Sequence, residues 1–158
     1  MSNSENALQL HPFAETDVAD VAPWLVGPGL SLPPGDGWVG RIVEDQRILA
    51  LVASSRAQKV GLVRLDCGPD GAAEVTLVVA PEHRGLGLGT AIFAQALERA
   101  RAGGVRRLIA NVDVSNPAAL AFFGAMGFES RGAAGAHIRM ERLVHASGGA
   151  AMPLDVRT

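Results

Sequence analysis

The stretch Val75-Thr76-Leu77-Val78-Val79-Ala80-Pro81-Glu82-His83-Arg84-Gly85-Leu86-Gly87-Leu88-Gly89 runs from an apolar, β-like segment through a glycine-dense turn into a strongly helical segment, Leu88 to Arg101. A turn of this kind presents bare backbone N–H groups and the positive end of a helix dipole. Such a place binds a phosphate or pyrophosphate without needing many charged side chains. Glycine lets ligand oxygens approach the amides and supplies positive φ where the turn demands it. Arg84, at the mouth of the turn, adds a charged fork for a phosphate. The turn therefore implies a phosphorylated cofactor.

Spacing discriminates among the motifs that could own this turn. A Walker loop needs Lys then Ser or Thr after its last glycine. Here Thr90 and Ala91 follow Gly89, and the one lysine of the chain is Lys59. A dinucleotide fingerprint needs Gly-x-Gly-x-x-Gly. Counting from Gly85 the third position is Thr90, and counting from Gly87 it is Ile92. What remains is Arg-x-x-Gly-x-Gly, with Arg84, Gly87 and Gly89 in register.

That pattern resembles the pyrophosphate loop of the GNAT family of acyl-CoA N-acyltransferases. Ala73 to His83 is similar to the family's central strand and exit turn. Asn116-Pro117-Ala118-Ala119-Leu120-Ala121-Phe122-Phe123-Gly124-Ala125-Met126-Gly127-Phe128 is similar to its second signature, an Asn-led helix ending in Gly-Phe. The resemblance covers about residues 60 to 143. It implies an α/β (α+β) fold with a mixed, mostly antiparallel central sheet, splayed at its centre to admit the cofactor, and helices on both faces.

Along the chain, Leu8 and Leu10 alternate with polar neighbours as a first strand. Ala14 to Leu25 reads as a helix with Thr16 as N-cap. The glycine- and proline-rich segment from Val26 to Asp45, with Trp38 inside it, is long for a structureless loop in a compact domain. The resemblance puts it over the acceptor cleft, with Trp24 and Trp38 either walling the acceptor side or anchoring the loop. Arg47–Ser55 and Lys59–Cys67 read as a hairpin, and Gly68-Pro69-Asp70-Gly71 as a turn. Leu88, Ile92, Phe93, Ala96, Leu97 and Ala100 make a 3.6-residue stripe, which Gly103-Gly104 ends. Arg107 to Asp113 reads as a buried strand, Asn116-Pro117 as a helix start, and Ile138 to Val144 as a last strand. Residues 1–145 are expected to form one acetyltransferase domain and 146–158 a flexible tail.

Composition narrows the function classes. A 158-residue chain with 48% hydrophobic residues suffices for one full core. The formal charge of −2, with scattered arginines, gives no sign of nucleic-acid binding. Cys67 stands alone, which excludes an internal disulfide and a Cys-rich metal site, and it reads as an inert small hydrophobe. No basic-apolar leader opens the chain, and no run reaches the roughly 18 apolar residues of a membrane span. The expectation is a soluble cytoplasmic protein with no membrane or nucleic-acid partner and with homodimerisation left open.

The resemblance implies transfer of an acetyl group from acetyl-CoA to a primary amine by direct attack. The acceptor is a small-molecule amine, an amino sugar or a protein amine. A primary amine is mostly protonated at neutral pH, so a base is wanted near the acyl carbon. Glu74 is the candidate, about 20–30 Å of strand upstream of the glycines; its other reading is an exposed carboxylate at a strand start. Backbone groups of Val78, Val79 and Ala80 would polarise the thioester and pair the pantetheine arm. Arg84, Gly85, Leu86, Gly87, Leu88, Gly89 and Thr90 would hold the pyrophosphate. Asn116 caps its helix, alone or while also bonding pantetheine. His83 either approaches a phosphate or is a plain loop histidine.

Many members carry a tyrosine that protonates the leaving thiolate. In this register it falls at Phe123, and the chain has no tyrosine. Water or Ser115 would take over that proton, and a thiol of pKa near 8.5 leaves fairly well at neutral pH unaided. The missing phenol also motivates a rival reading, a non-catalytic acyl-CoA-binding or regulatory module.

Overall fold

A computed structural model of the chain describes residues 8–25 and 47–145. The expected loop 26–45, with Trp38, and the tail 146–158 lie outside the described residues.

Seven strands form one sheet in the order β1-β2-β3-β4-β5-β7-β6. They are β1 Gln9–Pro12, β2 Ile48–Ser55, β3 Gln58–Cys67, β4 Ala72–Val79, β5 Arg107–Asp113, β6 Glu129–Ala134 and β7 His137–Leu143. Every neighbouring pair is antiparallel except β4–β5. That parallel pair follows from its crossover connection, the helix α2, Leu88–Ala102. Helix α1 is Val18–Val21 and α3 is Pro117–Ala125.

Period-two alternation sorts the strands onto two cores. Val63, Leu65, Ala73, Val75, Leu108, Ala110 and Val112 pack with Ile92, Phe93 and Ala96 of α2 and Phe123 of α3. On the other face Val52, Leu62, Val78 and Ala80 pack with Phe13, Val21 and Trp24. Helices thus cover both faces, as the resemblance implied. The approach of α2 to β3 depends on Gly61. A Cβ there would lie 2.5 Å from Ile92 Cδ1 and 2.9 Å from the Val78 carbonyl oxygen.

The feature that positions the site is a fork. β4 and β5 pair only where Ala72–Glu74 face Arg107–Ile109. Beyond that point β5 continues against β7 to Asp113, while β4 continues against β3 to the end of its length. The expected splay is this divergence.

Two local readings need correction. Ala14 to Leu25 is not one helix capped by Thr16. It is a 3₁₀ turn at Glu15–Asp17, a single α turn and a second 3₁₀ turn at Ala22–Leu25. Pro23 removes an N–H and crowds the preceding turn. The capping carboxylate belongs to Asp17, whose Oδ2 accepts from the Ala14 N–H at 2.9 Å. Asp17 is buried, and Lys59 Nζ sits 2.8 Å from both Asp17 Oδ1 and Asp20 Oδ2, clamping this segment to β3. Second, the C-terminal strand is a hairpin. β6, exposed along its whole length, precedes β7 and pairs with it through a register shift between Ser130 and Ala133.

Candidate active site

Between the parted strands lies a cleft of about 590 Å³. Leu77 to Val79 of β4 form one wall, the turn from His83 to Thr90 the end, and Ser115, Asn116 and α3 the other wall.

Backbone phase decides which β4 groups face the cleft. The Ala80 N–H donates to the Val60 carbonyl at 2.8 Å, and Val78 O lies against Gly61, so both point toward β3. Val79 and Leu77, out of phase with them, turn their N–H and C=O toward the fork. Of the expected trio, then, Val79 carries the available amide. Ala80 is buried beside Trp24 with its N–H already bonded and does not line the cleft.

The turn is held from the strand side. Arg84 Nε donates to the Val79 carbonyl at 3.1 Å, which leaves the guanidinium's two Nη groups for an anion. Gly87, the N-cap of α2, has φ +79, and Gly85 has φ +80. No side chain caps this helix and no acid stands in its first turn, so the first-turn N–H groups keep no side-chain acceptor. Leu86, between the glycines, is 68% exposed and off the cleft wall, contrary to its expected contact. Leu88, Gly89 and Thr90 line the cleft. Gly89 differs from its neighbours in having no positive φ, and a Cβ there would crowd Phe122 Cε1 at 3.2 Å.

His83 is half-buried on the cleft wall, and its Nε2 is buried without a hydrogen-bond partner. A plain exposed loop histidine does not look like this. On the far wall, Asn116 Oδ1 accepts from Ala119 N at 3.1 Å, the N-cap bond expected, and Pro117 takes the first helical position. The Asn116 Nδ2 amide is the donor that remains for a ligand. The Ser115 hydroxyl and N–H both donate to Asp113 Oδ1, at 2.6 and 2.8 Å. Those two bonds, with His137 nearby, hold the Asp113 carboxyl below the usual carboxylate range. The Ser115 proton is thus committed to Asp113. Phe123 lines the cleft and packs edge-on against Phe122 and Phe128, with centroids 5.2 and 5.0 Å away.

Glu74 is not on the cleft wall. It sits three residues below Leu77, about 10 Å along the strand, at the last β4–β5 pair. Its side chain is on the face opposite α2, where Oε2 accepts from Asn111 Nδ2 at 3.1 Å. Asp66 is its cross-strand partner on β3 and is held bidentately by Arg64, at 2.7 and 2.8 Å.

The family model described as "Acetyltransferase (GNAT) family" matches residues 2–128. The chain belongs to the GNAT acetyltransferase family. It is accordingly an acyl-CoA-dependent N-acetyltransferase, with acetyl-CoA as cosubstrate and an amine as acceptor. Solved structures of the same fold include the Vibrio cholerae spermidine N-acetyltransferase in complex with CoA and spermine, at 19% identity and TM-score 0.76, covering 87% of this chain and 95% of that one. The PaiA N-acetyltransferase of Thermoplasma acidophilum in complex with coenzyme A matches at 14% identity and TM-score 0.71, covering 87% and 99%. A domain from Methanocaldococcus jannaschii matches at 13% and 0.76, also covering 87% and 99%. No curated protein sequence matches the chain. Among the described residues no helix is long and apolar enough to cross a membrane.

In this GNAT chain Leu77, Ala118, Ala119 and Phe122 line the cleft without having been singled out from sequence, and of the two readings of His83 the cleft-side one holds. Phe122 had a usable signal. Adjacent residues on a helix point about 100° apart, so one of Phe122 and Phe123 falls toward the edge of the core-facing stripe, and Phe122, the less buried, is that one.

Proposed function

We propose that the chain acetylates a small cationic primary amine by direct attack on the thioester, with Glu74 as the base. The carrying observation is the Glu74 carboxylate at the closed end of the fork, bonded to a neutral amide rather than to a cation. Nearby carboxylates are matched, Asp66 by Arg64 and Glu141 by Arg139 at 2.6 Å. An unmatched negative charge favours an arriving ammonium and then accepts its proton. The freed amine attacks the carbonyl carbon, the C–S bond breaks with CoA leaving as thiolate, and the second proton of the attacking nitrogen passes through water to that thiolate. That the Vibrio cholerae relative is named for a polyamine and is bound to spermine is in keeping with a cationic acceptor. Amino sugars and protein amines are the competing acceptors.

In this reading CoA lies along β4, its pyrophosphate on the first-turn amides of α2 and on Arg84, with His83 Nε2 as a further donor to a phosphate oxygen. The Val79 N–H polarises the thioester and Asn116 bonds pantetheine. Residues 1–145 act as one domain.

Amine-dependent thiol release from acetyl-CoA tests this, using linear polyamines, a hexosamine and a peptide with a free N-terminus. Polyamines should support turnover, and Glu74→Gln should lower kcat about 10²-fold or more. Turnover confined to the peptide, or undiminished in Glu74→Gln, would refute the acceptor class or the base respectively.

A further inference from the structure

The Glu74 carboxylate is held from across the fork. Asn111 Nδ2, 37 residues away in sequence, donates to Oε2 at 3.1 Å, and both side chains are half-buried. Glu74 is the last β4 residue that pairs with β5, its partner being Ile109. Asn111 stands two residues beyond Ile109, where β5 is already paired through Arg139 to β7 alone. Two residues on a strand return to the same face, so the amide reaches back over the point where the strands part. A carboxylate so held loses the freedom to turn toward Arg64, Arg107 or Arg139, the cations carried by this face on β3, β5 and β7. Asp66, Glu141 and Asp113 are the other acids on this face of those strands, Asp113 being bonded to Ser115 and standing opposite His137.

We infer that Asn111 is the positioning residue of the reaction, its amide fixing Oε2 across the fork so that Oε1 is left for the acceptor amine. The inference rests on Glu74 being the base. An amide suits the role because it supplies a donor without a charge: a lysine or arginine here would neutralise the carboxylate and lower its proton affinity. An aspartate would do the reverse.

A double-mutant cycle separates action through Glu74 from a structural role. The variants are Asn111→Ala, Asn111→Asp, Glu74→Gln and the Asn111→Ala/Glu74→Gln pair, each checked for folding by thermal unfolding. Asn111→Ala should lower kcat about ten- to a hundredfold, the scale of misplaced catalytic groups, with KM for acetyl-CoA unchanged. In the Glu74→Gln background the same substitution should change kcat less than twofold. Asn111→Asp, nearly isosteric and so a safeguard if the alanine variant does not fold, should move the acid limb of kcat/KM to higher pH. Equal losses in both backgrounds, or an unmoved acid limb, would overturn the inference. Full activity of Glu74→Gln overturns the base assignment and this inference with it. An inactive Glu74→Gln beside a fully active Asn111→Ala overturns the positioning role alone.

Discussion

Gly87→Ala is the sharpest probe of the phosphate turn, because it changes the backbone without touching anything. Gly87 holds φ +79, and a Cβ built there meets no atom within 4 Å. Steric collision is therefore absent, and the whole effect is the left-handed backbone, about 1–2 kcal/mol for an L-residue. Alanine returns part of this, about 0.4–1 kcal/mol, by restricting the unfolded chain. The net destabilisation is about 1 kcal/mol. If the folded protein bears that strain, Tm falls by about 2–4 °C for a domain of this size. If the turn relaxes instead, the first-turn amides lose their convergence, and the same energy appears as about fivefold weaker CoA binding. Thermal unfolding without ligand and calorimetric titration with CoA read the two channels separately. Gly85→Ala, at φ +80 with the same empty surroundings, should behave alike. Gly89→Ala should differ. Its helical backbone accepts alanine, so Tm should hold while the crowding of Phe122 narrows the cleft. A Gly87→Ala protein with unchanged Tm and unchanged CoA affinity would refute the reasoning.

Other outcomes follow from single features. The β2–β3 turn is made by Arg56 and Ala57 at φ +55 and +64, and the second position favours glycine; Ala57→Gly should raise Tm by about 2–4 °C, and a fall would contradict the turn geometry. Burial pushes the Asp17 carboxyl up, but the Lys59 bond, the Ala14 N–H and His11 outweigh it and hold it below its ordinary value. Glu141 is held down likewise, chiefly by Arg139. Both contribute stability that is complete above the unfolded carboxylate values of about 4 and is lost as pH falls through the lower folded ones. Acid unfolding of Lys59→Met should accordingly begin from a lower plateau and show a shallower loss below pH about 4, and an unchanged profile would remove the cluster from the account. Phe123→Tyr restores a phenol on the cleft wall. Because a thiolate leaves readily, kcat should rise no more than about tenfold, and a gain above a hundredfold would show that the missing acid limits the reaction.

The features legible in the sequence were those with local causes. The glycine turn, the α2 stripe, the Asn116 cap and the αL glycine at position 104 each announce themselves within a few residues, and each is where it was expected. Strand β6 was not legible because every residue in Glu129–Ala134 is exposed, so no apolar alternation marks it. It is held by backbone pairing to β7. In the N-terminal segment a local cap signal at Thr16 suggests one helix, whereas Pro23 and the Asp17 cap divide it into short turns. Within the site, His83 and Phe122 could be named from sequence but not aimed. Whether a side chain faces the fork depends on how β4 and β5 part, which no local pattern encodes. The Glu74–Asn111 bond is the clearest case, since the crossover through α2 sets that proximity.

The central claim is that the fork and its glycine turn form a CoA-ester site. Thermal unfolding with acetyl-CoA, CoA, ATP and NAD, each near saturation, tests it most directly. A ligand at about 100 times its Kd adds about 2.7 kcal/mol, a rise of about 5–11 °C for this chain. That rise is expected with acetyl-CoA and CoA. No rise with either, or a larger one with ATP, would contradict it.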